Sequence, residues 1–136
     1  MSTPLYALTG FAGWTLLLIF IVFNIRGYYA LLRRPMKPVN TFSPDGGDLA
    51  PFGQRVTRAH LNSVENLAVF ATLVFVAAYT NRLDIMEGTV MYILYARIAQ
   101  STVHMISTSQ IAVWLRATLW GVQLGLMIWY AIQLLS

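Results

Sequence analysis

Cysteine is absent from all 136 residues, which excludes disulfides, thiolate metal sites and a protein cysteine nucleophile. Any thiol chemistry must therefore arrive on a ligand. Charge is scarce as well: 10% of the residues are Asp, Glu, Lys or Arg, against 57% hydrophobic. A soluble domain carries roughly 25% charged residues, so this chain lacks the side chains to clothe a water-facing surface. Acidic residues are scarcest of all, five against nine Lys and Arg, for a net charge of +4. That balance does not point to nucleic acid, because the basic residues flank apolar runs instead of forming a stripe. The two histidines, His60 and His104, stand alone without the His/carboxylate spacing of a metal site, so no metal is expected.

What is abundant is long apolar sequence. A bilayer crossing takes about 20 mostly apolar residues, and four crossings would use most of this chain. The first run begins near Leu5 with no basic segment before it and continues far past the length of a signal-peptide core, which reads as a retained helix. Helices are expected at about 5–32, 54–80, 87–108 and 112–135, in a single domain over 1–136. Pro35 and Pro38 end the first, since proline lacks the amide proton a helix interior needs. The segment from Pro35 to Gly53, with four prolines and three glycines, reads as a loop over the membrane surface. Trp114, Trp120, Trp129 and Tyr130 spread towards the ends of the last helix, where amphipathic rings prefer to sit. The expected architecture is an all-α, left-handed, up-down-up-down four-helix membrane bundle.

Counting Lys and Arg orients it. Arg26, Arg33, Arg34, Lys37, Arg55, Arg58 and Arg116 fall on one side and Arg82 on the other, with Arg97 inside the third helix. Enrichment of Lys and Arg in cytoplasmic loops puts the first and third loops in the cytoplasm and both termini opposite.

Two polar stripes interrupt the apolar pattern. At about 100° per residue, Arg55, Arg58, Asn62 and Glu65 fall within roughly an 80° sector of the second helix. Ionisable groups at such depth are expensive and normally face the bundle interior, paired or binding something. Glu65 either neutralises an arginine and locks two helices together, or the face binds a zwitterionic ligand. In the second case arginines grip carboxylates and Glu65 accepts an ammonium. On the third helix Arg97, Gln100, Ser101, His104 and Thr108 share one face. Arg97 needs a counter-charge, and Glu65, within or between subunits, is the expected partner. Ser101 and Thr108 equally suit helix-to-helix packing.

The run Arg58-Ala59-His60-Leu61-Asn62-Ser63-Val64-Glu65 resembles the signature of the membrane-associated proteins in eicosanoid and glutathione metabolism, the MAPEG family. That signature is an arginine, an asparagine four residues on and a glutamate three beyond, at the start of helix two. Arg55 and Phe70 fit as flanking positions, and Glu-Asn-Leu followed by an apolar stretch looks most like bacterial members. The resemblance spans the chain and implies a homotrimer in a bacterial inner membrane, with glutathione held between subunits near the cytoplasmic face. Arg58, Asn62 and Glu65 would hold the tripeptide, with Arg55, Arg97, Gln100 and His104 on the same faces, His60 within the signature run, and Arg33 or Arg34 reaching in from helix one. Arg116 is similar to the family arginine that activates the glutathione thiol, although its spacing from Arg97 is longer here, and it equally suits an interfacial anchor. Eicosanoid-forming members carry helix-three tyrosines where this chain has Gln100 and His104. They also carry a proline where this chain has Ala68, and one has a serine where it has Ala117. These departures point away from eicosanoid synthesis and leave glutathione binding as the shared property.

The function implied is a glutathione-dependent transferase or peroxidase acting on lipophilic electrophiles or lipid hydroperoxides. The alternative is a non-enzymatic lipid- or ligand-binding accessory, a role one family member fills. A proton-coupled drug exporter would place an acidic residue in helix one, which has none.

Overall fold

The computed structural model describes residues 1–31, 44, 47 and 49–136. Among these residues it contains five helices and no strand: α1 (Thr3–Leu31), α2 (Pro51–Tyr79), α3 (Asp84–Glu87), α4 (Val90–Ile106) and α5 (Gln110–Leu135). Three of them, α1, α2 and α5, are long and apolar enough to cross a membrane. Helix is the form such sequence must take in lipid, because every backbone N–H and C=O is then satisfied within its own segment. The threonines obey the same constraint. Thr9, Thr72 and Thr118 turn their hydroxyls back to the carbonyls of Leu5, Ala68 and Trp114 at 2.8, 2.8 and 3.0 Å, hiding a donor that would otherwise face apolar surroundings.

Pro51 opens α2, where a missing amide proton costs nothing. Asn81, at φ 56°, turns the chain after α2, a left-handed conformation that asparagine tolerates better than most residues. The helix expected from residue 87 instead begins at Val90. Asp84–Glu87 forms a separate turn of helix that seats Met86 in the core, and Gly88 caps it. Ser109 caps α5, its hydroxyl accepting from the Ala112 amide at 3.2 Å.

α4 is the hub, packed against α1, α2 and most extensively α5, while α1 lies along α2. α1 and α4 approach closely at Gly10, where an added Cβ would meet the Leu94 Cδ2 methyl at 2.8 Å. The interior divides lengthwise. Ala7, Phe11, Phe70, Val74, Met86, Ile93, Met127 and Tyr130 form an apolar core at the end holding the N-terminus, with the Phe11 and Phe70 rings 5.6 Å apart. That end is closed by Arg82, which donates to the Gln133 and Leu134 carbonyls of α5 at 2.7 and 3.4 Å. Towards the other end the interior turns polar: Thr15, Ser63, Arg97, Gln100, Ser101 and Gln123 are all buried. Outside, large apolar side chains such as Leu16, Phe20, Phe23, Phe75 and Trp114 are more than half exposed, a belt suited to lipid and not to water.

Candidate functional site

The polar end of the interior opens into a cavity of about 400 Å³, lined by Pro51, Gln54, Arg55 and Arg58 of α2, His104 of α4, Thr108 of the α4–α5 connection, and Val113 and Arg116 of α5. Three helix ends meet there: the start of α2, the finish of α4 and the start of α5. Helix N-termini carry partial positive charge, so α2 and α5 add to the field of three guanidinium groups, and among the described residues no acidic side chain lines the space. Arg55 is anchored, its Nε donating to the Met105 carbonyl at 2.8 Å, where a cation suits the C-terminal end of α4. Arg58 is exposed and makes no hydrogen bond within the described residues. Arg116 is half-buried, with its Nε sequestered and unpartnered. Guanidinium groups are donors only, so the cavity suits a ligand rich in acceptors, carboxylates above all.

A second cluster lies deeper. Arg97, only 1% exposed, donates from Nη1 to Asn62 Oδ1 at 2.6 Å and sits 5.3 Å from the centroid of the Phe11 ring. Its Nε and Nη2 have no hydrogen-bond partner. Within the chain the counter-group of Arg97 is thus an amide and not the expected Glu65 carboxylate. Glu65 and Asn62 are three residues apart, about 60° around the helix, and that rotation turns Asn62 towards α4 while Glu65 is left exposed. One turn along, Gln100 Oε1 accepts from Gln123 Nε2 at 3.0 Å.

The structure thus brings Arg55, Arg58, His104 and Arg116 around one cavity and joins Arg97 to Asn62 beside it. His60 is elsewhere, in a cleft between α1 and α2 with Arg26, Thr57 and Leu61. Gln100 is committed to Gln123, and Arg33 and Arg34 lie outside the described residues. Sequence reading missed Gln54 as a lining residue and Gln123 as the partner of Gln100. A glutamine inside an otherwise apolar membrane helix was the signal for the latter. Among the described residues no group of three or more His, Cys, Asp or Glu could hold a metal ion.

No curated protein and no solved structure matches the chain. The sequence model of the MAPEG family, by contrast, matches residues 4–136, a span that takes in all five helices, the arginine-lined cavity and the Arg97–Asn62 contact. On that nearly complete match, the chain belongs to the MAPEG family.

Proposed function

We propose that this protein is a glutathione-dependent membrane transferase or peroxidase acting on lipophilic electrophiles or lipid hydroperoxides. The observation that carries the reading is the cavity of about 400 Å³ with Arg55, Arg58 and Arg116 on its wall and no acidic residue among the described residues that line it. Glutathione has two carboxylates and one ammonium. Arginines grip carboxylates through paired, charge-assisted hydrogen bonds, and Glu65, exposed on the same helix as Arg55 and Arg58, suits the ammonium.

What glutathione supplies is a nucleophilic sulfur; the chain's residues hold and charge it. A free thiol has a pKa of about 8.5, leaving a few per cent ionised at neutral pH, and an adjacent arginine lowers that value. A two-unit drop corresponds to about 2.7 kcal/mol. Arg116 is the candidate catalytic residue, because its half-buried guanidinium, with Nε unpartnered, lines the cavity. An apolar cavity of about 450 Å³, lined by Phe20, Ile21, Tyr28 and Phe52 on the far side of the α2 N-terminus, suits the greasy part of the second substrate.

We read α4 as the fourth crossing. Its 17 residues span about 25 Å of a core about 30 Å thick, and its one mid-helix charge faces inward. The Lys and Arg bias supports placing the first and third loops in the cytoplasm, in a bacterial inner membrane. A homotrimer is part of this reading, and the outward Glu65 supports it, since a carboxylate at membrane depth needs a neighbouring subunit or a ligand beside it. The accessory reading stands second, supported by the lack of any tyrosine hydroxyl in the basic cavity.

The test is glutathione binding by calorimetry in detergent, with wild type compared against Arg58→Ala and Glu65→Gln. Both variants are expected to bind at least about tenfold more weakly, a 1.4 kcal/mol loss. Equal binding by all three would remove this site. Conjugation of a chlorinated aromatic by wild type but not Arg116→Ala would separate enzyme from accessory.

A further inference from the structure

Asn62 belongs to two environments at once. It lies on α2 between Arg58 and Glu65, half-buried, and its side-chain oxygen reaches into the interior. Oδ1 accepts from Arg97 Nη1 at 2.6 Å and, more weakly, from Asn66 Nδ2 at 3.4 Å. An amide presents an acceptor at one end and donors at the other, and which end points where is decided by its partners. A guanidinium offers donors alone, so only the oxygen can face Arg97; the reversed amide would oppose donor to donor. With both acceptor positions of Oδ1 engaged, Nδ2 is turned away from Arg97 and makes no hydrogen bond within the described residues.

We propose that Arg97 is a positioning residue that locks the Asn62 amide, so that the ligand face presents N–H donors at Arg58 and Asn62 with Glu65 as its acceptor. The peptide group seated over Asn62 must then be an acceptor, such as a carboxylate or carbonyl oxygen, and a group with donors only, such as an ammonium, is rejected there. This rests on the reading of that face as the glutathione site. It also accounts for an otherwise costly choice. A buried arginine is best matched by a carboxylate, and an aspartate in place of Asn62 would supply one in the same volume. Such an aspartate, however, would turn an acceptor oxygen outward and repel the ligand's own acceptor. Asparagine gives up ion pairing with Arg97 and keeps the donor facing out. Arg97 is suited to the task because it is held still, buried on every side and seated over the Phe11 ring.

The experiment uses the full chain in detergent: wild type, Asn62→Asp, Arg97→Met, the double variant and Arg97→Lys, each read by thermal unfolding and by glutathione calorimetry. Asn62→Asp is expected to unfold at a higher temperature than wild type yet bind glutathione at least about tenfold more weakly. Stability and binding then move in opposite directions, which a merely structural contact cannot do. Arg97→Met also weakens binding, while Arg97→Lys, which restores a donor opposite Oδ1, recovers most of it. Asn62→Asp or Arg97→Met binding as wild type does would overturn the proposal. Should wild type itself bind no glutathione, the functional reading falls separately. The unfolding data still judge the contact in that case: a stabilising Asn62→Asp whose gain vanishes in the Arg97→Met background supports the locked amide, and additive effects refute it.

Discussion

Replacing Arg82 by alanine tests whether the end of the bundle remote from the cavity is held by one side chain. Arg82 lies in the short connection after α2, and its Nη2 donates to the Gln133 carbonyl at 2.7 Å while Nη1 reaches Leu134 at 3.4 Å. The first contact is a sound charge-assisted hydrogen bond, a type that contributes about 1.5–3 kcal/mol. The second is too long to add much. A cation beside the last carbonyls of a helix adds about 0.3–1 kcal/mol through the helix dipole. Because Arg82 is half-buried and water can replace part of the lost bonding, Arg82→Ala should cost about 2 kcal/mol, near the lower part of the combined range. Unfolding in mixed micelles, followed by tryptophan fluorescence, measures this directly, since Trp129 packs on Tyr130 at 5.5 Å in that last stretch of α5. Arg82→Lys should recover part of the loss, because one ammonium donor can still reach the Gln133 carbonyl. Glutathione binding should be unchanged in both variants, the cavity lying at the opposite end. A loss below about 0.5 kcal/mol, the ordinary scatter of surface substitutions, would refute the clamp. A parallel loss of binding would refute the separation of the two ends.

Other substitutions probe the remaining elements. Gly10→Ala places a methyl 2.8 Å from the terminal Leu94 Cδ2, which must shift; a clash of about 1–3 kcal/mol less about 1 kcal/mol of helix propensity gives a net loss of at most about 2 kcal/mol, and strict additivity with Leu94→Ala would show that the α1–α4 approach is not tight. Tyr130→Phe removes the hydroxyl that bonds Thr89 at 2.7 Å, for a loss of about 1 kcal/mol in the same unfolding assay. Arg116→Ala should leave the fold intact, cut glutathione conjugation at pH 7 by about tenfold or more, and shift the rate's rise with pH upward towards the pKa of a free thiol, about 8.5. An unshifted profile would assign thiolate formation to another residue.

The helices were largely legible because their signal is composition over long windows. The apolar runs of α1 and α5 are uninterrupted by charge for most of their length, as is α2 from Asn66 to its end, and within a single segment only a helix hides that much backbone in lipid. The stripe from Arg97 through Gln100 and Ser101 to His104 was legible for a related reason, a 3.6-residue period running through apolar surroundings, and its first three members are buried. Glu65 was not placed correctly within the chain. An 80° sector is wider than the strip of one helix that another can cover, and which margin lies against α4 is set by packing that a lone helix does not encode. Charge counting named Glu65 as the partner of Arg97, within or between subunits; within the chain an amide three residues away occupies that position. The break between α3 and α4 was missed because Gly88 is only mildly unfavourable inside a helix, and the burial of Met86 that bends the chain there is a tertiary effect.

With α4 read as the fourth crossing, as proposed above, its central position bears on how the protein enters its membrane. An arginine midway along a crossing segment adds roughly 2.5–3.5 kcal/mol to the free energy of inserting that segment alone, and 17 residues give little apolar length to offset it. The groups that receive Arg97, the Phe11 ring and the Asn62 amide, belong to α1 and α2, which are synthesised earlier. On that reading biogenesis has a built-in order: the first two helices would stand in the bilayer as a receiving surface before α4 settles, and a chain deprived of either would leave α4 stranded at the translocon.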